Sequence, residues 1–92
     1  MIKSFKHKGL ESFFYDGSIK GIQFKHTKRI ADILDLLDAA DTISVMNFPG
    51  SGLHKLEPKH QGLWAVRVSG NWRIVFEFQD GDAFLVDYVD YH

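Results

Sequence analysis

Four residues of the sequence carry the kinds of side chain that acid–base catalysis uses. Asp90, Tyr91 and His92 supply a carboxylate, a phenol and an imidazole in succession, and His54 supplies a second imidazole. Cleaving RNA requires a base for the 2′-hydroxyl and an acid for the leaving 5′-oxygen. These residue types fit that reaction. The sequence does not decide which residue acts as base and which as acid.

The same residues offer a second chemistry, because histidine and aspartate are also common metal ligands. His54, Asp90 and His92 lack a metal-binding spacing such as H-x-x-x-H. The sequence has no cysteine, which excludes disulfides, thiolate metal sites and thiol catalysis. We therefore expect neither a metal ion nor another cofactor.

Two arginines are predicted to meet in a β-hairpin. Strand residues alternate between the faces of a sheet, so Trp64, Val66 and Val68 share one face of the first strand. A three-residue loop over 69–71 brings Val68 opposite Trp72, and it also sets Arg67 directly opposite Arg73 on the other face. Like charges directly opposite one another destabilise a sheet, so two arginines held together there indicate a site for an anion such as phosphate. The alternative is that each arginine pairs with a neighbouring acid.

The elements that must position these residues are helices followed by strands. Apolar residues at helical spacing predict a first helix, which ends at Gly17, and a second helix, which starts near Thr27 as the N-cap. A short strand over 2–5 and longer strands over 63–69, 72–78 and 83–89 are also predicted. For the last hairpin we favour a three-residue loop over 79–81, which keeps Asp87 out of the core. The fold class is α+β, with two N-terminal helices packed on one face of a mainly antiparallel sheet.

The composition fits one small globular domain over residues 1–92. The chain is 45% hydrophobic and 14% aromatic, which is enough apolar material for a core. It has no apolar run that could serve as a signal peptide or span a bilayer, so we expect a cytoplasmic protein with no membrane partner. The formal net charge is only −1, so bulk charge does not identify a nucleic-acid partner.

Several motifs, taken together over the whole chain, resemble the HigB toxins of the RelE superfamily. The resemblance includes the opening Met1-Ile2-Lys3-Ser4-Phe5 and the segment Leu53-His54-x-Leu56. It also includes Gly62-x-Trp64 with Val68-x-x-Asn71-Trp72-Arg73, and the ending Asp90-Tyr91-His92. Two positions depart from the pattern: Glu57 stands where many members have lysine, and Pro58 where they have glycine.

This resemblance implies a RelE-like fold and a metal-independent endoribonuclease that cleaves mRNA in the ribosomal A site. It further implies a HigA-type antitoxin as partner, with DNA contacted only through that antitoxin. The catalytic positions it implies are His54, Arg73, Asp90, Tyr91 and His92, and cations expected to bind RNA are Lys55, Lys59 and Arg67. Two other classes stay open, namely a non-catalytic RNA- or ribosome-binding module and an interaction protein that acts through its antitoxin partner.

Overall fold

The structure is a computed structural model that describes residues 1–56 and 62–91. Its α-helices are α1 (Lys8–Asp16) and α2 (Thr27–Ala39), and short 3₁₀ turns cover Phe24–His26 and Ile43–Met46. Its strands are β1 (His54–Lys55), β2 (Leu63–Ser69), β3 (Trp72–Gln79) and β4 (Asp82–Asp90). The predicted α+β class is confirmed.

Helix α1 begins and ends with residues that satisfy its free backbone groups. The Leu10 amide donates to Nδ1 of His7 at 3.0 Å, so the imidazole caps the first turn. At the other end Gly17 adopts a left-handed conformation (φ 74°), and its amide donates to the Phe13 carbonyl. The predicted stop at Gly17 is therefore confirmed.

Helix α2 buries the apolar stripe that the sequence predicts. Its four buried residues are Ile30, Ile33, Leu34 and Leu37. The predicted N-cap is wrong, because His26 occupies that position and Thr27 is already helical. The Thr27 hydroxyl instead donates to the Phe24 carbonyl at 2.8 Å. Within residues 1–56 and 62–91, no helix has the length and apolar character needed to cross a bilayer.

The four strands form one antiparallel sheet in the order β1-β2-β3-β4. The predicted strand over 2–5 is reduced to two parallel bridges beside β4, from Ile2 to Ala83 and from Phe5 to Val86. The chain start thus extends the β4 edge, where Ser4 accepts a hydrogen bond from the Leu85 amide at 2.9 Å.

The hairpin between β2 and β3 differs from the prediction in the length of its turn, but Arg67 and Val68 lie on the predicted faces of the sheet. The turn has two residues, with Ser69 opposite Trp72, so the predicted three-residue loop is wrong. A β-bulge between Arg67 and Ser69 inserts one extra residue on β2 and shifts the register. Arg67 consequently lies opposite Arg73, as predicted, and Val68 stays buried.

The hairpin between β3 and β4 repeats this arrangement. Gln79 pairs with Asp82 across a two-residue turn, so the predicted loop over 79–81 is also wrong. A bulge near Leu85, which has a φ of 53°, shifts the register so that Asp87 lies opposite Val75. Without that shift Asp87 would face the core, because neighbouring strand residues point to opposite faces.

The core joins both helices to one face of the sheet. Leu10 of α1 and the α2 stripe belong to the same buried cluster as Val66, Ile74 and Phe76. We call this side of the sheet the helix side and the opposite side the outer face. Ala65 and Val75 are buried as well, but they are not part of that cluster. They form the floor of the outer face.

A buried histidine and tyrosine connect the start of α2 to the end of the sheet. Nδ1 of His26 lies 2.6 Å from the Tyr88 hydroxyl, and the Tyr88 ring stacks on Trp72 with centroids 4.4 Å apart. Burial, with a smaller contribution from Lys25, lowers the pKa of His26 below 6.5. Burial also raises the pKa of Tyr88 above 10.0, so both rings are neutral at pH 7.

We expect the free energy of unfolding to fall as the pH drops below about 6.5. In that range the unfolded chain binds a proton at His26 that the folded chain resists, because its pKa is lowered. One such proton gives a slope of at most about 1.4 kcal/mol per pH unit. Urea unfolding at pH 7.5, 6 and 5 gives the free energy of unfolding at each pH, and its change per pH unit should be smaller for His26→Gln than for the wild type. Equal slopes would contradict this assignment.

Candidate active site on the outer face of the sheet

The outer face displays two rows of residues across the strands. One row runs from His54 through Ala65 and Val75 to Asp87, since each is the register partner of the next. The adjacent row contains Arg67, Arg73 and Val89. His54 lies diagonal to Arg67, a relation that separates two residues by roughly 7–8 Å and their Cβ atoms by somewhat less. An imidazole therefore lies near a pair of guanidinium groups.

The two arginines differ in what they already bind. Arg73 is half-buried, and its Nη1 donates to the carbonyls of Gly70 at 2.6 Å and Trp72 at 2.9 Å. Arg67 is exposed, and among the described residues its side chain makes no hydrogen bond or ion pair. Nor does Glu77, on the same strand, or Asp87, on β4, form an ion pair with Arg73. The alternative that the arginines pair with Glu77 or Asp87 is therefore not supported, and no residue in the ranges 1–56 and 62–91 occupies the side-chain donors of Arg67.

The His54 side chain is held in one tautomer. Its Nδ1 lies 3.0 Å from the carbonyl oxygen of Gly52, which can only accept a hydrogen bond. Neutral His54 therefore carries its proton on Nδ1, and this leaves the lone pair on Nε2. The side chain is exposed, so Nε2 is accessible to a substrate. This arrangement suits a general base.

Arg29, which is not among the predicted site residues, fixes the loop that precedes β1. From α2 its Nη2 donates to the carbonyls of Gly50 at 3.0 Å and Arg67 at 2.9 Å. The Arg67 amide in turn donates to the Ser51 carbonyl at 2.8 Å. The loop therefore lies along the backbone of Arg67, and a Cβ atom placed on Gly52 would lie 4.0 Å from that side chain. A basic residue in the first turn of a predicted helix gives no sequence signal for this role.

Lys55 lies on the other side of the sheet from His54. It pairs with Trp64, whose ring packs against the core cluster, and its Nζ lies 5.9 Å from the centre of that ring. This cation–π contact stabilises the helix side of the β1 edge. Lys55 is thus apart from the site on the outer face, and its predicted RNA-binding role stays a prediction.

Asp90 and Tyr91, although consecutive, also lie in different surroundings. Asp90 ends β4 opposite Trp72, a residue of the helix side, and its charge is one cause of the raised pKa of Tyr88. The Tyr91 amide donates to the Asn71 carbonyl at 2.9 Å, and its side chain lines a pocket on the outer face. The structure therefore gathers His54, Arg67, Arg73 and Tyr91 on one face, with Asp90 at the end of the sheet.

Two predicted site residues, His92 and Lys59, lie outside the described residues, as do Glu57 and Pro58. Their predicted roles stay predictions. Within the ranges 1–56 and 62–91 there is no group of three or more His, Asp or Glu side chains placed to hold a metal ion.

A pocket of 190 Å³ opens on the outer face, and its lining includes Val89, the register partner of Arg73. Leu63, Val75 and Val89 form much of its wall, and Tyr91 lines it at the end of β4. A larger pocket of 330 Å³ lies between α1 and the loop that follows it, but no residue of the outer face lines that pocket. We associate the chemistry with the smaller one, because it adjoins the candidate catalytic residues.

Comparison with known proteins identifies the family. The model of the HigB-like toxin family, described as RelE-like toxins of type II toxin–antitoxin systems, matches residues 3–92. The chain belongs to this family. It is 44% identical to "Endoribonuclease HigB" of Proteus vulgaris over 92 residues, which covers 100% of both chains. It is also 33% identical to "Toxin HigB-1" of Vibrio cholerae serotype O1 over 101 residues, with 100% of this chain and 98% of that protein covered.

Family membership confirms the toxin class that the motifs predicted. The match extends over nearly the whole chain, so it includes every strand of the sheet and both helices. It does not test the individual site residues. Their assignment depends on the geometry of the outer face.

Proposed function

We propose that this toxin is an endoribonuclease that cleaves mRNA bound in the ribosomal A site, and that its active site is the outer face of the sheet. One observation carries the proposal: His54, whose Nδ1 lies against the Gly52 carbonyl so that Nε2 carries the lone pair, lies beside two arginines that neither Glu77 nor Asp87 neutralises. The name of the Proteus vulgaris relative, which is aligned over its full length, supports the same activity.

In the proposed reaction Nε2 of His54 takes the proton of a 2′-hydroxyl, and the 2′-oxygen attacks the adjacent phosphorus. Arg67 and Arg73 stabilise the negative charge that develops on the phosphorane oxygens. The bond to the 5′-oxygen then breaks, and His92 donates a proton to that leaving oxygen. The products are a 2′,3′-cyclic phosphate, which can open to a 3′-phosphate, and a 5′-hydroxyl.

The other proposed residues bind and orient the RNA. Tyr91, with a 43% exposed side chain on the outer face, offers a ring for stacking or a hydroxyl for a hydrogen bond. Asp90 is a second candidate for the base, and Lys59 a further cation for the RNA backbone. None of these steps requires a metal ion, so we propose that the toxin itself holds no catalytic metal.

The proposed partners follow from the type of system. A type II toxin is paired with an antitoxin protein, and we propose a HigA-type antitoxin that neutralises this chain and makes any DNA contact itself. The ribosome is proposed as the platform that presents mRNA, because the net charge of −1 gives the toxin little general attraction for free RNA.

We expect the purified protein to cut mRNA on programmed ribosomes and to leave the same RNA nearly intact when ribosomes are absent. Mapping 5′ ends should give cuts within the A-site codon, each with a 5′-hydroxyl. Toxin dialysed against EDTA before it is added to ribosomes in Mg²⁺ buffer should cut as fast as untreated toxin. Equal rates on free RNA would contradict ribosome dependence. Binding to ribosomes without any cut would identify a non-catalytic module instead.

A further inference from the structure

The outer-face pocket carries polar groups that the proposed cleavage reaction does not use. Asp87 lines the pocket from β4, and Lys6 lines it from the segment beside β4. The two side chains line the same pocket but do not form an ion pair within 4.0 Å. Oδ1 of Asp87 accepts from the Tyr88 amide at 2.9 Å, and this leaves Oδ2 available to another donor.

The rest of the pocket lining is apolar or aromatic. Val75 and Val89 supply an apolar floor, Leu63 adds to it, and Tyr91 supplies an aromatic wall. Apolar walls with a few convergent polar groups are typical of small-ligand sites. The pocket has a volume of 190 Å³, below the roughly 300–1,000 Å³ of sites for drug-sized ligands, so it suits a smaller group such as a single base.

The pocket also lies close to the candidate catalytic groups. Val75 is next to Ala65 in the row that begins at His54, and Val89 is the register partner of Arg73. A strand of RNA with its phosphate at the arginine pair could therefore place a neighbouring base in this pocket.

We propose that this pocket is a nucleobase subsite and that Asp87 selects bases carrying an exocyclic amino group. The proposal rests on the proposed endoribonuclease function and adds a specificity determinant to it. A carboxylate only accepts hydrogen bonds, so Asp87 favours the amino groups of adenine, cytosine and guanine over the carbonyl oxygens of uracil. Tyr91 stacks on the base.

Lys6 has a different role in this proposal. Its side chain is exposed and lines the pocket, and we expect it to contact the phosphate of the bound nucleotide. Phosphate contacts add affinity for every sequence, whereas contacts with base edges discriminate among sequences. Substitution of Asp87 should therefore change the preference among bases, whereas substitution of Lys6 should slow cleavage of every sequence.

The test measures cleavage of ribosome-bound messages with the A-site codon AAA. In each of three messages one adenosine is replaced by purine riboside, which lacks only the amino group. At one of the three positions we expect the wild type to cut the substituted message about tenfold more slowly than the unsubstituted one. Asp87→Ala should cut these two messages at equal rates. Lys6→Met should slow both messages by the same factor, and Asp35→Ala on α2 should behave as the wild type.

Asp87→Asn keeps the shape and one acceptor oxygen, so its rate ratio between the two messages should lie between that of the wild type and that of Asp87→Ala. This variant replaces Asp87→Ala in the test if Asp87→Ala fails to fold. The proposal is overturned if the wild type shows no amino-group effect at any position, or if the Asp87 variants keep the full effect. Failure of the wild type to cut any message would instead overturn the proposed function.

Discussion

Arg67→Ala is expected to lower the single-turnover rate of mRNA cleavage on the ribosome about 10²–10³-fold without lowering the melting temperature. The loss is that of a cation aimed at charge developing in the transition state. The stability should persist, because the Arg67 side chain is exposed and makes no hydrogen bond or ion pair with any described residue. Arg67→Lys should recover only part of the rate, since lysine lacks the planar fork.

Arg73→Ala provides the comparison. It should cost a similar factor in rate, but it should also lower the melting temperature, because Arg73 donates to the carbonyls of Gly70 and Trp72 at the turn. Lys28→Ala serves as the control, since Lys28 is an exposed cation of α2 that pairs with Asp32. Full activity of Arg67→Ala would show that this arginine does not contact the scissile phosphate.

His54→Asn is expected to lower the cleavage rate about 10²–10⁴-fold, which is the usual contribution of general acid–base catalysis. Asparagine keeps a donor near the position of Nδ1, so the hydrogen bond to Gly52 and the path of the loop should survive. What the variant lacks is Nε2. The measurement is the single-turnover rate on one ribosome-bound message, with binding to ribosomes measured in parallel.

The variant should bind ribosomes as the wild type does, because the side chain removed is a base and not an anchor. Loss of binding in proportion to the loss of rate would assign His54 to recognition. A rate near that of the wild type would leave Asp90 as the remaining candidate base of the proposed mechanism.

The faces of the strands could be predicted from the sequence, but the turns could not. Alternating apolar residues correctly placed Arg67 opposite Arg73 and kept Asp87 out of the core. We predicted three-residue loops because regular pairing across two-residue turns would invert the faces. The chain uses two-residue turns and restores each face with a bulge. The bulge near Leu85 depends on a left-handed backbone at a leucine, for which the sequence carries no signal.

The types of residue in the candidate site could be predicted from the sequence, but which of them lie together could be predicted less well. His54 and Lys55 are neighbours in sequence, yet the register sends one to the outer face and the other to Trp64 on the helix side. The tautomer of His54 depends on the Gly52 carbonyl, and the position of Arg67 depends on Arg29. Such contacts between side chain and backbone require the folded loop, so no spacing rule reveals them.

The most direct test that the outer face is the active site compares His54→Asn with Lys55→Ala on the same ribosome-bound message. The two positions are consecutive in β1 but lie on opposite sides of the sheet. The outer-face assignment predicts a loss of about 10²–10⁴-fold for His54→Asn. At saturating toxin, where a contribution of Lys55 to RNA binding would not limit the rate, it predicts a rate close to that of the wild type for Lys55→Ala. Comparable losses in both variants, or a loss only in Lys55→Ala, would contradict it.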